Sequence, residues 1–153
     1  MNDCLETKAA VLAAKENCNL PVFAANVYDE RGRLMTGASV EAMVAMLEGL
    51  RVDALGMNCS LGPKQMLALL PEFLRVSSTP IIVKPNAGIP EILGEETVYT
   101  VSGEEFAAAL YEAAEEGAGL LGGCCGTTPD FIQKTVLALR SVPYTPPSPK
   151  AVT

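Results

Sequence analysis

The chain holds 153 residues, 49% of them hydrophobic, enough for one core and too few for two sizeable domains. Its formal charge of -7, with only 11 basic residues, excludes an electrostatic nucleic-acid or anionic-membrane surface, because both need clustered Lys and Arg. No apolar run of about eighteen residues is present to cross a membrane and Met1-Asn2-Asp3-Cys4 does not open a signal peptide, so the expected location is cytoplasmic.

Residues 3–17 set Leu5, Ala9, Val11, Leu12 and Ala13 among Glu6, Lys8, Lys15 and Glu16, which predicts a helix ending near Asn17. Pro21–Tyr28 is apolar and predicts a strand, followed by the charged turn Asp29-Glu30-Arg31-Gly32-Arg33. A helix over Ser39–Leu50 precedes a second strand over Asp53–Cys59, closed by Ser60-Leu61-Gly62-Pro63. Lys64–Val76 returns to helical spacing through Met66, Leu67, Leu69, Leu70, Phe73 and Leu74. Pro80–Lys84 is a third strand and Pro85–Pro90 a loop. Ser102-Gly103-Glu104-Glu105 forms a capping box for a helix that ends near Gly117. Ala118-Gly119-Leu120-Leu121 is short and apolar, as a strand buried on both faces would be. Thr128-Pro129-Asp130 then supplies N-cap, N1 and N2 of a last helix through Leu139.

Four strands, each followed by a helix, predict an α/β fold with parallel strands, a (β/α)4 unit over residues 1–142. Residues 143–153 form a proline-rich tail, expected to be an extended linker or free end. In such units ligands gather at the C-terminal ends of the strands, so the chemistry is expected in the strand-end loops.

Five cysteines, an odd number without an export signal, favour reduced thiols or metal ligands over disulfides. Cys124 and Cys125 lie among glycines at the end of the fourth strand, and Cys59 ends the second, so three thiols are expected at one level. Three protein ligands with an open fourth position is the arrangement of catalytic zinc, and soft thiolates favour zinc or copper(I) over magnesium or calcium, with redox-inert zinc the simpler choice in a chain without histidine. Two other readings stand beside it. Free cysteines are often small core residues, the reading that fits Cys4 and Cys18. A glycine-rich strand end before a helix N-terminus is also a phosphate cup.

Gly56-Met57-Asn58-Cys59-Ser60-Leu61-Gly62-Pro63, Lys84-Pro85-Asn86-Ala87-Gly88 and Gly122-Gly123-Cys124-Cys125-Gly126-Thr127-Thr128-Pro129 together resemble the homocysteine-binding domain of the zinc-dependent homocysteine S-methyltransferases. The Asn-Cys-Ser-Leu-Gly-Pro and Pro-Asn-Ala-Gly forms are most similar to the cobalamin-dependent methionine synthase branch, and the resemblance runs from about Leu5 through Leu139. It implies a (β/α)8 TIM-type barrel with Zn2+ on Cys59, Cys124 and Cys125 and the homocysteine sulfur in the fourth position. It also implies that Asn86, Ala87 and Gly88 help hold the amino-acid part of homocysteine, although by residue type alone this segment is a turn. Cobalamin or folate would enter only as methyl donor, held by other domains.

Four strands are half of that barrel, which typically needs about 250 residues. The motifs align this chain with the C-terminal half. An acidic residue that the family places at the end of the fourth barrel strand would fall before Met1, and neither Asp3 nor Glu6 takes its role. Two unpaired strand edges and an open interior predict association, either as a homodimer or with a complementary N-terminal half barrel. The alternatives are a non-catalytic zinc-binding half-domain left by truncation and a phosphate-binding half barrel.

Overall fold

The Asp3 carboxylate accepts the Glu6 N–H at 2.8 Å and so starts α1 (Cys4–Asn17) in the computed structural model, which describes residues 1–94 and 96–150. The chain continues through β1 (Phe23–Asn26), α2 (Val40–Gly49), β2 (Ala54–Asn58), α3 (Pro63–Val76) and β3 (Ile81–Lys84). After β4 (Pro90–Leu93) and β5 (Glu96–Tyr99) come α4 (Gly103–Glu116), β6 (Leu120–Leu121) and α5 (Pro129–Leu139). Ser39 and Ser102 cap α2 and α4, and the Ser102/Glu105 pair forms the expected reciprocal capping box. Thr128 and Pro129 start α5 at N-cap and N1.

Four strands pair in the order β1-β2-β3-β6, all parallel. Leu55, Met57, Ile81 and Val83 turn to the helices and lie in one core with Met43 and Leu47 of α2, Leu70 and Phe73 of α3, and Phe106 and Leu110 of α4. Each such side chain contributes about 1.5–3 kcal/mol by leaving water. Strand alternation sends Ala54, Gly56, Asn58, Ile82 and Lys84 to the opposite face. The register sets Asn58 beside Lys84 and Val83 beside Leu121, so the segments after β2, β3 and β6 leave the sheet at one edge. That alignment builds the site.

The antiparallel pair β4–β5 differs from the sequence expectation, which gave residues 85–90 to a loop and did not anticipate a hairpin after it. Its first strand is exposed along its whole length, and Ile92 and Leu93 face solvent. Without one buried face there is no alternation to read, and the turn rests on Gly94 at φ 68°.

The tail has no helix or strand through Lys150, yet it is laid on the sheet's other end. The Tyr144 ring lies where a Cβ on Gly119 would be, 2.8 Å away, and the Lys150 N–H donates to Ser78 Oγ at 2.7 Å. Beside it Glu48 Oε1 accepts from Ser77 Oγ at 3.0 Å and from the N–H groups of Ser78 at 2.6 Å and Thr79 at 3.0 Å, fixing the turn from α3 into β3. Glu48→Ala strips the Ser78 N–H of its acceptor and leaves the Thr79 N–H only Ser77 Oγ, at 3.0 Å, and is expected to cost about 1–2 kcal/mol in urea denaturation. Glu48→Gln, which keeps an oxygen there, should recover part of that loss. An unchanged midpoint in Glu48→Ala would show that water replaces the carboxylate.

Candidate metal centre

Cys59 follows the last residue of β2, and the chain turns sharply there: Cys59 has φ 65° and Ser60 φ 67°, left-handed values that few residues other than glycine adopt. The turn is held from both sides. The Cys59 N–H donates to Lys84 O at 3.0 Å, continuing the β2–β3 ladder, and the Leu61 N–H donates to Cys59 O at 2.8 Å. Across β3, Gly122 and Gly123 carry the chain from β6 to Cys124 and Cys125. The Cys124 N–H donates to Pro85 O at 2.9 Å, the Ala87 N–H to Cys125 O at 2.9 Å, and Thr127 Oγ1 to Cys124 O at 2.7 Å.

These bonds bring three sulfurs together. Cys59 Sγ lies 3.7 Å from Cys125 Sγ, which lies 3.8 Å from Cys124 Sγ, and all three fall within 4.8 Å of one another. Four ligands at about 2.3 Å around a tetrahedral zinc stand about 3.8 Å apart, so two of the three edges already match. Cys125 is exposed and Cys59 and Cys124 are half-buried, which leaves one side open at the strand ends. The residues present fit a thiolate-bound zinc with a free fourth position.

Cys59 and Cys124 differ in acidity. Burial alone would raise Cys59, but the Ser60 N–H, the Cys124 and Cys125 thiols and the Asn86 amide outweigh it and hold Cys59 below the usual thiol range. Burial pushes Cys124 up to about 11, and the neighbouring Cys59 and Cys125 push the same way. Because the thiolate is the nucleophile, metal-free protein is expected to alkylate at Cys59 at lower pH than at Cys124, which stays protonated until about pH 11. Peptide mapping after iodoacetamide pulses across that range checks the order. Equal pH profiles at the two sites would contradict it.

Asn86, Ala87 and Gly88, expected to help hold the amino-acid part of homocysteine, lie beside the cluster and are all buried. Asn86 donates its N–H to Leu61 O at 2.9 Å, and its Oδ1 accepts from the Cys125 N–H at 3.2 Å. Ala87 donates to Cys125 O and accepts from the Val101 N–H at 3.1 Å. Gly88, at φ 106°, is the one of the three whose N–H has no protein partner among the described residues. A Cβ there would come within 2.9 Å of Val101 Cγ2, so the position requires glycine.

Two neighbours of the cluster were not singled out from the sequence. Asn58 Nδ2 donates to Cys124 Sγ at 3.8 Å, and its place beside Cys59 was the one available signal. Tyr99 of β5 packs its ring on Gly126, where a Cβ would lie 2.9 Å from Tyr99 Cδ1, and no local pattern announces that contact. Of the remaining cysteines, Cys4 packs half-buried with Sγ 3.4 Å from Met46 Sδ. Cys18 is exposed at the end of α1, where its thiol donates to Ala14 O at 3.3 Å, and is not the core residue expected.

Parallel strands with helices after them, and three cysteine sulfurs gathered at the strand ends, define an α/β chain with a candidate three-thiol metal site. The sequence profile of homocysteine S-methyltransferases matches residues 1–139, and the chain belongs to that family. It is 36% identical over 143 residues to a methionine synthase of Mycobacterium leprae and 36% identical over 146 residues to one of Mycobacterium tuberculosis. These matches cover 90% and 92% of this chain but 12% of each relative. Among solved structures, the homocysteine methyltransferase MmuM of Escherichia coli superposes with TM-score 0.72 in its apo form, at 25% identity, covering 90% of this chain and 46% of MmuM. Its metallated form gives TM-score 0.71 at 26% identity, covering 92% of this chain and 43% of MmuM. The chain thus spans less than half the length of the relatives it matches.

Proposed function

We propose that Cys59, Cys124 and Cys125 hold zinc and that homocysteine binds through its sulfur at the open fourth position, for S-methylation to methionine. The observation that carries this reading is the spacing of the three sulfurs, 3.7 and 3.8 Å along two edges of one tetrahedral face. Bound there, zinc supplies the Lewis acidity that lets a thiol lose its proton near neutral pH and become a nucleophile. The chain's own residues do the positioning. Backbone bonds from Lys84, Pro85 and Ala87 fix the two cysteine loops, and the Gly88 N–H offers a donor for the amino-acid end of the substrate. The methyl donor, cobalamin or a methylated folate among them, would be held by other domains.

Residues 1–142 are proposed as the C-terminal half of a (β/α)8 barrel, completed by an N-terminal half or by a second copy. The outer edge of β1 supports this. The Met1 amino group donates to Ala25 O at 3.2 Å and the Val27 N–H to Met1 O at 2.9 Å, the pairing a parallel neighbour would make. Phe23 is also exposed on that strand.

Cobalt-substituted protein tests the reading. One metal per chain, with visible bands that change on adding homocysteine, supports the substrate site. Metal uptake without a homocysteine response leaves a non-catalytic zinc-binding half-domain. Protein that takes up no zinc or cobalt under reducing conditions overturns both zinc readings and leaves the phosphate cup.

A further inference from the structure

Cys125 is the exposed member of the cluster, so little protein surrounds its side chain. Its own N–H and carbonyl are bonded, to Asn86 Oδ1 and to the Ala87 N–H, but the residue after it is a glycine. The Thr127 N–H closes onto Cys124 O at 3.2 Å, so Cys124–Thr127 form a four-residue turn with Gly126 at the third position, at φ 78°. Glycine satisfies that positive φ. It also places the freest joint of the backbone directly after a metal ligand.

The restraint on that joint comes from outside the turn. The Tyr99 ring lies across Gly126 and fills the space of a side chain, with Cδ1 2.9 Å from where a Cβ would stand. Tyr99 is half-buried and lies outside the core beneath the sheet. It belongs to β5, whose partner β4 is exposed along its length. The hairpin is pinned at its base through the Val101 N–H to Ala87 O at 3.1 Å, and a cleft of about 240 Å³ lined by Lys64, Gln65, Thr100 and Glu105 opens beside that base. A ring on so lightly packed an element adds little to the core, and the contact it makes is with the ligand turn.

We propose that Tyr99 is a positioning residue of the metal centre, its ring holding Gly126, and through it Cys125, in the arrangement that brings the Cys125 sulfur to the other two. The inference rests on the zinc reading of Cys59, Cys124 and Cys125. It adds that the β4–β5 hairpin belongs to the site, and that the ring rather than the phenol hydroxyl is the working part. Such coupling runs both ways: a ring that steadies the metal-binding form of the turn means that metal steadies the hairpin.

Tyr99→Phe keeps the ring and Tyr99→Ala removes it. Zinc affinity is read by competition with a chromophoric chelator, exchange of the Thr97 and Val98 amides by NMR with and without zinc, and folding of the metal-free proteins by circular dichroism and urea. Tyr99→Ala is expected to bind zinc about tenfold more weakly than the parent and Tyr99→Phe within about twofold of it, with metal-free urea midpoints alike in all three. Zinc should slow both amides in the parent and in Tyr99→Phe but not in Tyr99→Ala. A Tyr99→Ala affinity within about twofold of the parent overturns the proposal, and so does a Tyr99→Phe protein as weak as Tyr99→Ala, which would transfer the role to the hydroxyl. Tyr99→Leu, which keeps apolar bulk on the hairpin without the ring, replaces the alanine variant if that one does not fold, and is judged by the same outcomes. Parent protein that takes up no zinc sinks the zinc reading and this inference with it, whereas a parent that binds and a Tyr99→Ala protein that matches it sink only the role of Tyr99.

Discussion

Cys124→Ser is expected to lose stoichiometric zinc. A structural site with four ligands binds zinc with about 10–16 kcal/mol, so one thiolate carries roughly 2.5–4 kcal/mol, which corresponds to an affinity about a hundredfold to a thousandfold weaker. Serine cannot substitute, because its hydroxyl holds its proton near neutral pH and offers a harder donor. Geometry makes the loss sharper. Cys124 is half-buried and anchored through both its N–H, to Pro85 O, and its carbonyl, to Thr127, so no neighbouring residue can move into its place without breaking those bonds. Cys18→Ser is the matched control, since that thiol is exposed and bonds only within its own helix end. Metal content after dialysis should read one zinc per parent chain and per Cys18→Ser chain, and close to none for Cys124→Ser. Retained zinc in Cys124→Ser would move the metal elsewhere and end the three-thiol reading.

Gly56→Ala is expected to be the most damaging of the glycine substitutions near the site. Gly56 stands opposite Ile82 in the parallel pairing of β2 and β3, and an added Cβ would lie 2.6 Å from Ile82 N and 2.8 Å from Ile82 C. Those are backbone atoms in the middle of a sheet, so neither a rotamer change nor a small loop shift relieves the contact. The two strands must separate, at a cost of about 3 kcal/mol or more against a total stability of about 5–15 kcal/mol for a domain of ordinary size. Because Cys59 hangs from β2 and Asn86 from β3, metal affinity should fall with stability. Gly49→Ala gives the contrast, for a Cβ there meets nothing within 4 Å and alanine is the better helix residue by up to about 1 kcal/mol. Urea midpoints of the two variants on either side of the parent would bear this out. A Gly56→Ala midpoint equal to the parent would mean that the strands are further apart than described.

The sequence made the βα alternation legible because burial left a mark on it. Leu55 with Met57 and Ile81 with Val83 are apolar on the helix-facing side, and α3 shows the same logic in Met66, Leu69, Leu70 and Phe73. The meeting of Cys59 with Cys124 and Cys125 was legible for a topological reason: parallel strands deliver their C-terminal ends to one edge. The β4–β5 hairpin was not legible, since a strand exposed along its length obeys no burial rule. Cys18 misled because residue type predicts burial only on average, and its position after a helix end decided otherwise. The contacts of Asn58 with Cys124 and of Tyr99 with Gly126 link residues 66 and 27 positions apart, where local periodicity carries no information.

Cys59 follows β2 and Cys124 and Cys125 follow β6, yet β3 runs between those strands. A metal on the three sulfurs therefore acts as a strut thrown over a strand that supplies none of its ligands. Opening β3 would require the strut to break first or the strands on both sides to bend with it. The amide protons of Ile81–Lys84 thus become reporters of occupancy, exchanging with solvent through rarer openings when the site is filled, and a metal-dependent change in mechanical stiffness would be written in residues that never touch the metal.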